Sequence, residues 1–439
     1  MKKLLKIIVV LALLAAIALG GVLWYANRYI QSPEFKAQVL ATAKQALGAD
    51  VKIEELNISV LSGVSLKGIV ISNPPGFTGN LLTADAFTLR YKLLPLLQKR
   101  VEITQLTVAK PVVTLSSNDK KEWNYEKLGG TNASSTAGGP PPLAIALSRL
   151  ELDHGQIAML DAAGQPLVKV DDLNFASGVE FGGDKLTGTG KASIEKLGVA
   201  NALFVTGIAS PITYSAEQVT LDSLTGKLAG GNVTGNLLVK ILGGTKYGVN
   251  LQVKDADMAT LLQEAGTKPV MTGKLQVTTK LDGTAGLPTI TGNGHAEITN
   301  GQLLGVPVLD LLATLFQLNE LRTLSFTETK VEFTIANNEM QTPVISLVGP
   351  VVRITGKGVV SLADNSLNHD FTLALAPATA EKIPSQVRGV FTKEADGFYA
   401  ISFHVSGPYS SPKTDLTERI AKGAVNKLID KGLKGLFNK

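Results

Sequence analysis

The sequence predicts a mainly β protein: an elongated, curved antiparallel sheet behind an N-terminal membrane-spanning helix, with a few amphipathic helices. Three observations point there. Apolar residues recur at every second position from Val51 onward, and a G-x-G template repeats along the chain. Charge is sparse at 18%, while glycine accounts for 44 of 439 residues. That composition suits short strands and turns better than charge-laced helices.

The alternation is clean in several segments. Val249, Leu251 and Val253 alternate with Asn250, Gln252 and Lys254, and Leu275, Val277 and Leu281 with Gln276, Thr278 and Lys280. Val331, Phe333 and Ile335 alternate with Glu332 and Thr334, and Ile401, Phe403 and Val405 with Ser402 and His404. Phe371, Leu373 and Leu375 keep the same phase. Such strands have one apolar and one wet face, the antiparallel pattern, and about twenty to twenty-four of them are expected. The glycine template T-G-x-G recurs at Thr187, Thr291 and Thr355. A dinucleotide loop would need a third glycine and a following helix. These glycines instead read as bulges or sharp bends in repeated meander units.

Taken in order, residues 1–6 form a short tail with Lys2, Lys3 and Lys6, and residues 7–25 are an uncharged apolar span. The span is long enough to cross the hydrocarbon layer, and the lysines before it place the N-terminus in the cytoplasm and the body outside. An A-x-A sequence at Ala16–Ala18 is weighed as a signal-peptide cleavage site. The apolar run continues past it into Trp24 and Tyr25, which favours an uncleaved anchor. Residues 32–115 open with a helix, capped by Ser32-Pro33-Glu34 and stopped by Gly48, that is expected to pack on the first strands. Residues 116–142 turn polar and then Gly/Ser/Pro-rich, and read as a loop or linker. Residues 143–411 hold the repeated meanders and a helix at 303–321, and residues 412–439 a basic amphipathic helix.

Charge and residue usage exclude several functions. The net charge of +5 comprises +3 from residues 1–6 and +4 from residues 413–439, which leaves the body at −2. A nearly neutral body has no footprint for nucleic acid. The chain has no cysteine and only four histidines, each read as a solvated surface residue rather than a metal ligand. No hydrolase, zinc-protease or phosphate-loop motif occurs, so an enzyme, a cofactor and a metal centre are not expected.

Residues 48–77, GADVKIEELNISVLSGVSLKGIVISNPPGF, carry a G-V-x-L-x-G strand and the turn Asn73-Pro74-Pro75-Gly76-Phe77. With Leu106–Leu115, the Trp123-Asn124-Tyr125 loop and the block from Gly292 to Leu375, they resemble the bacterial AsmA family. The resemblance implies an inner-membrane anchor and a periplasmic body shaped as a folded-over β-groove with an apolar interior, like bridge-like lipid transfer proteins. It also implies phospholipid or another acyl-chain lipid as the cargo, and a part in phospholipid transport toward the outer membrane and in its assembly. A structural adaptor for outer-membrane assembly proteins is the alternative. The residues themselves allow either a sealed sandwich or a sheet curled around something greasy. If the groove holds, its lining is Val249, Leu251, Val253, Leu275, Val277, Leu281, Val331, Phe333, Ile335, Phe371, Leu373, Leu375, Ile401, Phe403 and Val405.

Overall fold

The computed structural model describes residues 32–59, 63–92, 95, 101–128, 145–182, 185–241, 246–284, 289–383, 388–408 and 411–420. The predicted anchor at 7–25 lies outside these residues, as do residues 129–142 and most of the C-terminal helix. Among the described residues, no helix is long and apolar enough to cross a membrane.

The alternation of the sequence becomes 22 strands among the described residues, with few helices. The chain divides into two compact units: residues 1–227 with 236–245, and residues 228–235 with 246–439.

The first unit begins with α1 (Pro33–Leu47), which ends where Gly48 takes a left-handed φ of 65° and bonds back to Lys44. Strands β1 (Val51–Ser59), β2 (Gly63–Ser72) and β3 (Asn80–Tyr91) form an antiparallel meander. Val39, Ala43 and Leu47 of α1 join Ile69, Ile71, Phe87 and Leu89 in one sealed cluster. The helix therefore packs on the first strands, as its spacing predicts.

Next, β3 pairs with two successive strands, β4 (Val101–Ala109) and β5 (Val112–Ser116). They are separated at Lys110, whose φ is 45°, and at Pro111. Both also run parallel to β7 (Arg149–Leu160), and β6 (Ile145–Leu147) runs parallel to β4. The sheet is thus antiparallel with a parallel junction that alternation alone does not predict. A parallel pair needs a crossover of about a dozen residues or more. The polar stretch after β5, expected as a loop or linker, lies between the two parallel partners β5 and β7. Its first part is folded: Ser117 bridges Trp123, and a 3-10 turn at Asn124–Lys127 buries Asn124. Beyond β7, the strands β8 (Pro166–Gly182), β9 (Lys185–Val199) and β10 (Leu203–Ser215) pair antiparallel in chain order. They are followed by β11 (Gln218–Leu228) and β12 (Gly231–Lys240).

In the second unit, β13 (Lys246–Asp257), β14 (Met271–Thr284), β15 (Thr291–Leu304), β16 (Thr323–Ala336), β17 (Glu339–Val348), β18 (Val352–Ser361) and β19 (Ser366–Leu375) form an uninterrupted antiparallel meander. β21 (Tyr399–Pro408) extends it past β19, flanked by the two-residue strands β20 (Thr392–Lys393) and β22 (Lys413–Thr414). Four-turn-or-shorter helices interrupt the strands: α2 (Met258–Glu264), α3 (Pro307–Phe316) and α4 (Pro377–Glu381). The helix expected at 303–321 is shorter than predicted, because Leu303 and Leu304 still belong to β15 and Gln317 ends α3 in a left-handed cap. Phe316 meets Phe391 with ring centroids 5.2 Å apart, and Leu312, Leu318 and Leu321 are buried beside α3.

Candidate functional site

Side chains directly opposite in an antiparallel pair share one face, so the strand register traces rows across the second unit. One row reads Val253, Val277, Ala296, Val331, Ile345, Gly356, Phe371 and Phe403. It crosses eight strands without a polar side chain. All fifteen residues named as a possible lining fall on this face, which also gains Ile298, Ile345 and Ile354. Strict alternation misses Ile345, because a bulge between Thr342 and Ile345 shifts the phase of β17.

Burial changes along each strand of this face. Leu373 and Leu375 are buried at the end of β19 from which α4 emerges, whereas Phe371 and Leu367 are half-buried. Thr329 is buried in β16, while Val331, Phe333 and Ile335 are half-buried. Val253 and Leu275 are buried, and Val249, Leu251, Val277 and Leu281 are half-buried. Ile401 and Phe403 are buried and Val405 is half-buried. The residues of the opposite phase, such as Asn250, Gln252, Lys280 and Thr334, are exposed. The apolar face is therefore closed at one end of the strands and, apart from buried Thr342 and His369, incompletely covered toward the other. The first unit contrasts with this, since its α1 cluster buries Phe87 and Leu89 completely.

The repeated glycines have a role other than the predicted bends. The Phe333 ring lies over Gly294, and a Cβ built on that glycine would sit 2.5 Å from it. Phe371 covers Gly356 in the same way, as Tyr214 covers Gly188. The pairing across each of these positions is regular. Glycine leaves room for a ring from the next strand to lie flat on the sheet. Gly273, with φ of 122° at a register shift, is a bulge of the expected kind.

One histidine departs from the surface reading. His369 is buried on the apolar face, with Nε2 2.8 Å from the Thr342 hydroxyl, and its ring stacks on Phe371 at 5.7 Å. Spacing carries the signal for this, since His369 stands two residues from Phe371 in the apolar phase. Thr342 also donates to the Gly358 carbonyl at 3.2 Å. The other three histidines face carboxylates on the wet side: His154 to Asp172 at 2.7 Å, His295 to Glu297 at 3.3 Å, and His404 to Asp370 at 2.9 Å. Among the described residues, no group of three His, Asp or Glu side chains could hold a metal ion.

A concavity of about 830 Å³ lies elsewhere, in the first unit. Its walls include two rows of the polar phase, one through Glu151, Ala176, Lys191 and Pro211 and one through Asn174, Ser193 and Ala209. It is a trough over the wet phase of the first unit.

The turn at Asn73–Phe77 is a structural clasp. Phe77 N–H donates to the Pro74 carbonyl at 3.2 Å, and Gly76 supplies the positive φ of 94° that a type II turn requires. Asn73 donates from Nδ2 to the Thr78 carbonyl at 2.6 Å and accepts at Oδ1 from Asn124.

The model of the AsmA family matches residues 1–220 of the chain. The match contains the 48–77 block and the Trp123-Asn124-Tyr125 loop, and it ends before the block from Gly292 to Leu375. No curated protein and no solved structure matches.

Proposed function

The chain belongs to the AsmA family, and from that premise we propose that it is a membrane-anchored periplasmic protein whose apolar sheet face carries the acyl chains of phospholipids. The observation behind this reading is the eight-strand apolar row in the second unit, in which Val277, Val331, Ile345 and Phe371 are only half-buried. Exposed apolar area disfavours a protein by about 25 cal/mol per Å². Contiguous exposed patches beyond roughly a few hundred Å² mark binding surfaces. Acyl chains need only such a surface, with no charged or catalytic group. Residues 7–25 supply the anchor in this reading, and the body contributes to moving lipid toward the outer membrane.

Native mass spectrometry of the detergent-extracted full chain tests it. Phospholipid-mass adducts that survive removal of detergent are the expected result. A protein that flies without lipid under conditions that preserve its fold would leave the adaptor role in its place.

A further inference from the structure

A second site lies in the first unit, on the wet phase at the end of the β9–β10 hairpin. The hairpin closes through Ala200 and Asn201, both left-handed at φ of 50° and 52°, with Ala202 N–H donating to Val199 at 3.1 Å. Beside this turn is a cleft of about 210 Å³ walled by Lys169, Asp171, Lys196, Asn201 and Phe204. Register fixes its composition. Lys169, Gly198 and Phe204 form one row, and Asp171 faces Lys196 in the next. Gly198 is the floor, and the Phe204 ring lies over it, 3.2 Å from where a Cβ would stand.

The cations are held differently. Lys169 pairs with Asp171 at 3.1 Å, while the Lys196 ammonium sits 4.4 Å from the centroid of the Phe204 ring. The ring positions this ammonium without neutralising it. Two ammoniums and one carboxylate leave the cleft with one net positive charge. That matches the single negative charge of a phosphodiester better than a dianionic phosphate monoester. Position agrees with this chemistry. Leu203, the first residue of β10, is among the most exposed large apolar side chains described, at 39%, and it belongs to the apolar phase. A lipid whose chains lie on the apolar phase of β9 and β10 would turn its headgroup around the strand end into the cleft.

We propose that this cleft is a phosphodiester-binding subsite, with Lys196 and Lys169 contacting the phosphoryl oxygens and the Asn201 amide donating beside them. A lipid headgroup and a free glycerophosphodiester present the same group, and only the lipid source rests on the lipid-carrying reading above. The test uses the full chain in detergent, as wild type, as a Lys169→Gln/Lys196→Gln double variant, and as a Lys254→Gln control on an exposed lysine of the second unit. One arm titrates glycerophosphoglycerol by calorimetry. The other offers equal phosphatidylglycerol and diacylglycerol of the same chains and reads the bound ratio by native mass spectrometry.

The expected result is a preference for phosphatidylglycerol that falls about tenfold in the double variant, as loss of charge-assisted bonds predicts. Total acyl content should stay unchanged, and the control should match wild type. A parallel loss in the calorimetric arm would identify the free diester as a ligand too. Its absence there would restrict the site to headgroups. A double variant equal to wild type in both arms, or a wild type that binds in neither, overturns the site. A wild type that carries no lipid but binds the free diester through these lysines would retain the site and remove the lipid-carrying reading.

Discussion

Asn124 donates from Nδ2 to Asn73 Oδ1 at 2.8 Å and to the Thr114 carbonyl at 2.8 Å, joining two turns that lie 51 residues apart in sequence. Asn124 is fully buried, so the amide that spans these acceptors is shielded from water. Removing it strands Asn73 Oδ1 and the Thr114 carbonyl. Asn124→Ala should cost about 2 kcal/mol in chemical unfolding, within the range for buried polar groups left unpaired. Asn73→Ala should cost less, because Asn73 is half-buried. A double-mutant cycle should show coupling of about 1 kcal/mol. Purely additive losses would show that the two turns fold independently.

Alternation made the strands and the apolar phase readable, because period two is a property of the extended backbone itself. Capping residues likewise placed α1. The parallel junction of β4 and β5 with β7 was not readable, since pairing partners are set by tertiary contacts and the signature of a parallel pair is only a long connection. Phase was lost at the β17 bulge for a local reason, one extra residue whose sequence signal is Pro343, a residue that strands tolerate at bulges and edges. The phase of His369 was present in the sequence, but its polar side chain argued for the surface. The cleft at Lys196 could not be seen, because its members come from β8, β9 and β10 and only the register assembles them.

The covered glycines give a packing prediction. A Cβ on Gly356 would lie 2.5 Å from the Phe371 ring, with the Asp370 carbonyl at 3.2 Å. The ring must move for alanine to fit, and overpacking of this kind costs about 1–3 kcal/mol. Gly356→Ala should therefore lower the unfolding midpoint, and adding Phe371→Leu should recover part of the loss. If the double variant is as unstable as the sum of its parts, the ring is not what the glycine accommodates.

Burial holds the His369 imidazole below its ordinary value, with nearby His404 adding to the effect and Asp370 opposing it. Lys357 and Asp370 stand opposite on the wet phase of the same strands, and Asp370 pairs with His404. A histidine depressed in the folded state takes up its proton more readily when unfolded. His369 therefore costs no stability above the unfolded value of about 6.5 and lowers stability progressively as pH falls below it. His154 acts in the opposite direction, since hydrogen bonding to Asp172 raises its pKa. The difference between variants isolates the buried group. His369→Leu should flatten the decline in stability between about pH 6.5 and 5 relative to wild type. An unchanged slope would mean that His369 is hydrated in solution.

Phe333 decides between an open face and a sealed core. Its ring lies over Gly294 and is half-buried, in the row shared with Leu251. In a sealed core an unpaired lysine costs several kcal/mol or loses its proton, and the chain would misfold. On an incompletely covered face the lysine stem can lie along the sheet and keep its ammonium in water. Phe333→Lys should therefore yield a folded, membrane-retained protein with protease resistance close to wild type. Its phospholipid content should be much reduced, because a charge stands where acyl chains lie. Thr334→Lys is a cleaner control than Glu332→Lys, since Thr334 is exposed on the wet phase while Glu332 pairs with Lys330 at 2.7 Å. The control should alter neither fold nor lipid. Degradation of Phe333→Lys beside a normal control would make this face a closed core and exclude lipid from it. A folded Phe333→Lys protein with its full lipid complement would instead move the acyl path off β16, toward rows that Phe333 does not reach.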